Sequence, residues 1–195
     1  MNAIKEAIRR INIGLEGESV TKVITFATPN NVMAQCTVIA NLAIMYGQAK
    51  EKTIIVDTDF GHNSFSEAFK LNTQQGLADF LNNENMKNQS VIHEVPGQNV
   101  SIITPGSIEE GEAEFLIGDP KFKHLIMDLS KQYDHVFINS AQFTTKSQNS
   151  NLFGVSDGTI IVSELNKTAK KDIFRMIKFF KNEQIEILGY VNAKR

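Results

Sequence analysis

Two carboxylates one residue apart, Asp57 and Asp59, follow the apolar run TIIV at Thr53–Val56. Carboxylates are the side chains of acid–base work and of binding to hard cations. Without a cation nearby, such a pair repels or takes up a proton; its plainer role is to cap the helix that follows. The other reactive side chain is Cys36, the single cysteine. It is expected at a helix N-terminus, where a thiolate is favoured, but no base partner is evident beside it. The four histidines, His62, His93, His124 and His135, show no metal-ligand spacing and read as surface or boundary residues.

The elements that must position these groups alternate between strand and helix. Lys22–Ala27 is a short β-rich run, and Thr37–Gln48 carries Val38, Leu42 and Met45 at helical spacing. Thr53–Val56 reads as a strand buried on both faces. Ser64–Lys70 and Gly76–Asn82 read as short helices, Val100–Thr104 as a strand, Lys121–Gln132 as a helix and His135–Ile138 as a strand. Gly158–Val162, the amphipathic helix Ala169–Asn182 and the strand Ile185–Val191 complete the series. On the helix, Ile173, Met176, Ile177 and Phe180 form the apolar face, and Lys170, Lys171, Arg175, Lys178 and Lys181 form a cationic one, whose plain role is solvation and whose alternative is docking of an acidic partner segment. This alternation, with strands too apolar to face water, predicts an α/β fold: a mostly parallel sheet flanked by helices on both faces. Ligands in such sheets bind at the carboxyl ends of the strands, here the loops after Ala27, Val56 and Ile138.

The chain of 195 residues suits one α/β domain, with residues 1–20 expected as an N-terminal helix and linker. With a net charge of -2, no overall positive field points to nucleic acid or an anionic membrane as a partner. One cysteine excludes an intrachain disulfide and suits a cytoplasmic setting. No run approaches the roughly 18–20 apolar residues that span a bilayer. Direct membrane insertion is therefore not expected, and membrane association would come through a partner.

The stretch VITFATPNNVMAQCTVIANLA lies where a strand–loop–helix phosphate cradle would lie. Read backward from Asn41-Leu42-Ala43, it resembles the deviant Walker A segment of the bacterial tyrosine kinases of capsule and exopolysaccharide synthesis. IIVDTDF resembles that family's second Asp-x-Asp motif, and GLADFL its Gly-Leu-Ser-Asp-x-Leu segment. TPGSIEEGEAEFL, YDHVFINSAQF, VSDGTIIV and ILGYVN continue the match in order, the second of these as the Walker B strand. The resemblance implies a P-loop architecture shared with partition and septum-placing ATPases of the ParA and MinD type. In active members it implies ATP and Mg²⁺ as cofactors and protein-tyrosine kinase activity.

The departures from that pattern carry chemistry. Val32 and Ala34 stand at the two glycine positions, Gln35 at the lysine, Cys36 at the magnesium-binding serine, followed by Thr37. A Cβ obstructs the curled backbone that wraps phosphate, most of all on β-branched Val32. Gln35 offers a neutral amide where an ammonium would meet phosphate, removing a contact of about 1.5–3 kcal/mol. Cys36 is a poor ligand for Mg²⁺. Asn139 replaces the Walker B aspartate, Ala141-Gln142 replaces a double proline, and Gln148 stands at a further acidic position. Asp57 and Asp59 match the retained acidic pair, one a metal ligand and the other a candidate base in active members. The expectation is a helix start without nucleotide; a weak nucleotide site, an active kinase with a rearranged site, and a degenerate partition ATPase are the alternatives.

Glu6, Arg9 and Arg10 resemble the N-terminal Glu-x-x-Arg-x-x-Arg helix through which family members contact each other in rings, although the second arginine position falls on Asn12. A homo-oligomer is therefore a candidate assembly. Active members carry a tail of clustered tyrosines; here Tyr46, Tyr133 and Tyr190 are scattered and expected to pack, and the sequence ends at Ala193-Lys194-Arg195. Asn192 is one residue early for the family's base-contacting asparagine. The resemblance implies as partner the cytoplasmic segment of a membrane chain-length or activator protein, or an active kinase paralogue.

Overall fold

A computed structural model describes residues 21–30, 32–72, 75–108, 112–143 and 149–193. Glu6, Arg9, Arg10, Gln148 and the last two residues lie outside them.

Seven strands form one sheet in the order β3-β4-β2-β5-β1-β6-β7. They are β1 (Val23–Ala27), β2 (Thr53–Asp57), β3 (His93–Glu94), β4 (Val100–Ile103), β5 (His135–Asn139), β6 (Gly158–Glu164) and β7 (Ile187–Ala193). Every pairing is parallel except the short β3 against β4. The apolar runs predicted this: β1, β2, β4 and β6 are buried at every position, which requires cover on both faces.

Helices α1 (Val32–Gln48), α2 (Ser64–Phe69), α3 (Leu77–Asn82), α4 (Ala113–Gly118), α5 (Pro120–Gln132), α6 (Asn149–Phe153) and α7 (Lys170–Asn182) supply that cover. Ile39, Leu42 and Tyr46 of α1, with Phe65 of α2, pack on one face against Ile24, Phe26, Ile55 and Phe137. On the other face α3 and α5 bury Leu77, Phe80, Phe122 and Leu129 against Val23, Ile54 and Val136. Further along that face, Met176 and Phe180 of α7 meet Ala27, Phe153 and Ile161.

Two boundaries and one packing expectation differ from the structure. The first helix begins at Val32 rather than Thr37, because Val32 and Ala34 pack against the α1-side core and no glycine interrupts the turn. The last strand is Ile187–Ala193, two residues later than predicted, with a bulge between Thr159 and Ile160 where β6 meets it. Tyr46 and Tyr133 do pack into the cores, but Tyr190 does not: it is 74 % exposed on the edge strand.

The GLADFL and TPG segments interlock backbone to backbone. Leu77 and Ala78 N–H donate to the carbonyls of Thr104 and Pro105 at 2.8 and 2.9 Å. Gly76 sits so close that a Cβ there would lie 2.4 Å from Gly106 N and 2.5 Å from Thr104 O. Rigid backbone cannot yield as a flexible side chain does. Gly76→Ala is therefore expected to destabilise the fold by about 1–3 kcal/mol, read as a lower urea midpoint. An unchanged midpoint would contradict this close approach.

Candidate functional site

Parallel register brings the ends of β1, β2 and β5 together. Asn139 stands opposite Phe26 on one side and Asp57 on the other. Side chains alternate along a strand, and Ile55 and Phe137 face α1, so Asp57 and Asn139, two residues further on, face α1 as well. Against them the first turns of α1 place Gln35 and Cys36, both buried.

These residues form a continuous hydrogen-bonded chain. Gln35 Nε2 donates to Asn139 Oδ1 at 2.7 Å and to the Ser140 carbonyl at 2.7 Å. Asn139 Nδ2 donates to Asp57 Oδ1 at 2.7 Å, and the Asp59 N–H donates to the same oxygen at 3.1 Å. Cys36 Sγ lies 3.8 Å from Asn139 Oδ1. Gln35 Oε1 is buried with no hydrogen-bond partner among the described residues. Five of these six residues, all but Ser140, are candidates from the sequence. Their direct linkage follows from the parallel register.

The electrostatics reflect a carboxylate without a countercharge. Asp57 is 1 % exposed. Loss of water pushes its carboxyl up to about 7, against the opposing pull of the Asn139 and Asp59 hydrogen bonds. Burial also pushes the Cys36 thiol up to about 12, with the Asp57 charge adding to the effect. The expected thiolate-favouring position is thus corrected. The helix starts at Val32, so the sulfur sits beyond the first turn, buried and facing an acid.

Asp57 and Asp59 do not cap the next helix as expected. Helix α2 starts behind Asn63 without a side-chain cap. Asp59 instead accepts from the Gly61 N–H at 3.2 Å and pairs with His62 Nδ1 at 2.8 Å. His62 is the surface residue that the sequence predicts, its side chain 61 % exposed, and its position three residues after Asp59 across a glycine is the signal for this contact. Thr37 turns its hydroxyl onto the Met33 carbonyl of its own helix at 2.8 Å. Asn192 Oδ1 accepts from Ser163 Oγ at 2.8 Å.

Two further residues tie down the loop after β1. Gln142 Nε2 donates to the Pro29 carbonyl at 2.9 Å, and Thr168 Oγ1 bonds Asn30 Oδ1 at 2.9 Å. Among the described residues no group of three or more His, Cys, Asp or Glu is arranged to hold a metal ion.

Comparison with known proteins places this geometry. The family model described as an AAA domain matches residues 21–189. Tyrosine-protein kinase ptk of Acinetobacter johnsonii is 24% identical over 169 residues, which is 86% of this chain but 23% of that protein. Tyrosine-protein kinase YwqD of Bacillus subtilis is 26% identical over 199 residues, covering 97% of this chain and 81% of that protein. The kinase domain of the Escherichia coli tyrosine kinase ETK superposes with a TM-score of 0.86 at 17% identity, covering 97% of this chain and 76% of that one. The cell division ATPase MinD of Pyrococcus furiosus superposes at 0.73 and 20% identity, covering 88% and 71%. These two structures share the mostly parallel sheet and its helices. The chain belongs to the AAA domain family, in the group that includes the bacterial tyrosine-protein kinases.

Proposed function

We propose that this chain is a non-catalytic regulator or scaffold of capsule or exopolysaccharide assembly, working in the cytoplasm with the shape of a tyrosine kinase domain. The observation that carries the reading is the hydrogen-bonded chain from the neutral amides of Gln35 and Asn139 to the carboxyl of Asp57. Mg²⁺-ATP requires positive charge, open backbone amides and anionic metal ligands at this point. The residues present do not fit it. Gln35 spends both amide hydrogens inward on Asn139 and Ser140, and Val32 and Ala34 sit within the first turn of α1 with their side chains on the core. The carboxyl of Asp57 is buried against amides rather than a cation.

Such a protein would occupy a kinase's docking surfaces without turning over nucleotide. The partner that suits it is the cytoplasmic segment of a membrane chain-length or activator protein, or an active kinase paralogue. Among the described residues no helix is long and apolar enough to cross a membrane.

Calorimetric titration with ATP and ADP, each with and without Mg²⁺, is expected to show no submillimolar binding. A phosphotyrosine blot after incubation with ATP is expected to stay blank. One observation favours an active kinase: the acidic pair Asp57 and Asp59 is kept at the end of β2, both residues buried. Submillimolar binding together with phosphotyrosine would establish that alternative and overturn the proposal.

A further inference from the structure

Helix α7 divides its surface sharply. Met176 and Phe180 are wholly buried against Ala27, Phe153 and Ile161, with Ile177 and Phe179 packed beside them. The opposite face exposes Lys170, Lys171, Arg175, Lys178 and Lys181. The helix's acidic residue, Asp172, is engaged by Arg175 Nη1 at 3.2 Å. The four lysines carry no ion pair among the described residues, so their charge is uncompensated locally in a chain whose net charge is -2.

In the middle of these lysines sits Phe174, 70 % exposed. Lys170 and Lys171 lie one turn before it and Lys178 one turn after, with Lys181 a further turn on, all on its side of the helix. A second aromatic ring, Tyr190, is 74 % exposed on edge strand β7. Its register partner Ile161 packs under α7, which puts Tyr190 on the same side of the sheet as that helix. Phe174 and Tyr190 leave two large rings in water, apolar area that a covering surface would bury favourably.

We infer that the outer face of α7 is a docking surface for an anionic phospholipid bilayer. The occupant follows from charge and shape. Uncompensated lysines on long flexible stems match a plane of phosphate headgroups, each adding to the attraction. Phe174 and Tyr190 are rings of the kind that settle at the headgroup–acyl boundary. The outer side of a helix lying on a sheet is convex, which meets a plane more readily than it encloses an acidic peptide. The contact is peripheral, with no element entering the hydrocarbon core. Helix α7 covers the sheet face opposite α1, so this docking does not depend on whether nucleotide binds at Gln35.

Co-sedimentation of the full chain with vesicles tests it. Binding is expected to vesicles of phosphatidylcholine mixed with phosphatidylglycerol, not to phosphatidylcholine alone. It should vanish near 1 M salt, where the screening length shrinks to about 3 Å. Each of Lys170→Glu, Lys178→Glu and Lys181→Glu should weaken partitioning about fivefold or more. Phe174→Ser, which leaves the charge intact, should weaken it about tenfold. Circular dichroism and urea melts check that these surface variants fold, and the salt response needs no variant. Absence of phosphatidylglycerol-dependent binding overturns the inference, as does equal binding by the folded variants. Capture by soluble poly-glutamate without vesicle binding would assign the face to an acidic polypeptide and overturn it too. Nucleotide titration of the same preparation separates this outcome from failure of the proposed function.

Discussion

Asn139→Asp is expected to lower the unfolding free energy by about 3–5 kcal/mol at pH 8, and Gln35→Lys introduced on top of it to restore at least half of the loss. Asn139 is wholly buried and its Nδ2 donates to Asp57 Oδ1 at 2.7 Å. An aspartate there replaces a donor with a second acceptor and sets two carboxylates against each other away from water. At lower pH one proton bridges the pair, so the loss shrinks toward pH 5. The amide of Gln35 already lies 2.7 Å from Asn139 Oδ1, within reach for a lysine at that position to supply the countercharge. Urea denaturation of the four proteins in the cycle should therefore give a coupling of about 2 kcal/mol or more, in the range of contacting pairs. Additive single effects would show that the hydrogen-bonded chain does not bind these residues into one unit. The double variant is also expected to show no nucleotide affinity, because Val32 and Ala34 remain in the first turn of α1. Charge balance and cradle shape are separate requirements.

The sheet was legible in the sequence because its strands are buried on both faces. TIIV and GTIIV are continuous apolar runs, and such runs have few other places to go. The candidate-site residues were legible by type, since Asp57 and Asp59 follow TIIV and Asn139 follows the strand run HVFI. Their mutual contact was not legible. The register that sets Asp57 opposite Asn139 depends on crossovers through whole helices, which no local pattern records. The start of α1 was misplaced for a different reason. The family pattern puts a loop at Val32–Ala34, but residues without a glycine's freedom and with apolar side chains to bury continue the helix instead. That earlier start also carried Cys36 out of the first turn and into the core. Helices α4 and α6, of 6 and 5 residues, were not legible, while α2 and α3, each of 6 residues, were; length alone does not separate them.

The fold should also lose stability as pH rises from about 4 to about 7, and Asp57 is the cause. Its carboxyl ordinarily titrates at 3.8 and in the folded chain is pushed up to about 7 by burial. Between those values the folded state keeps a proton that the unfolded state has released, so unfolding becomes more favourable with each rise in pH. Below the window both states are protonated and above it both are ionised, and the curve is flat on each side. The span corresponds to about 4 kcal/mol from this one group. Asp57→Asn removes the titration while leaving an oxygen to accept from Asn139 Nδ2 and the Asp59 N–H, the two donors now on Oδ1. The variant should match the parent near pH 4 and exceed it by that margin at pH 8, which cancels every other titrating group in the comparison. Urea curves at the two pH values read the difference directly. Parallel curves for parent and variant would mean that a cation or solvent reaches Asp57 in solution. The neutral, cation-free core of the proposed non-catalytic site would then be wrong at its centre.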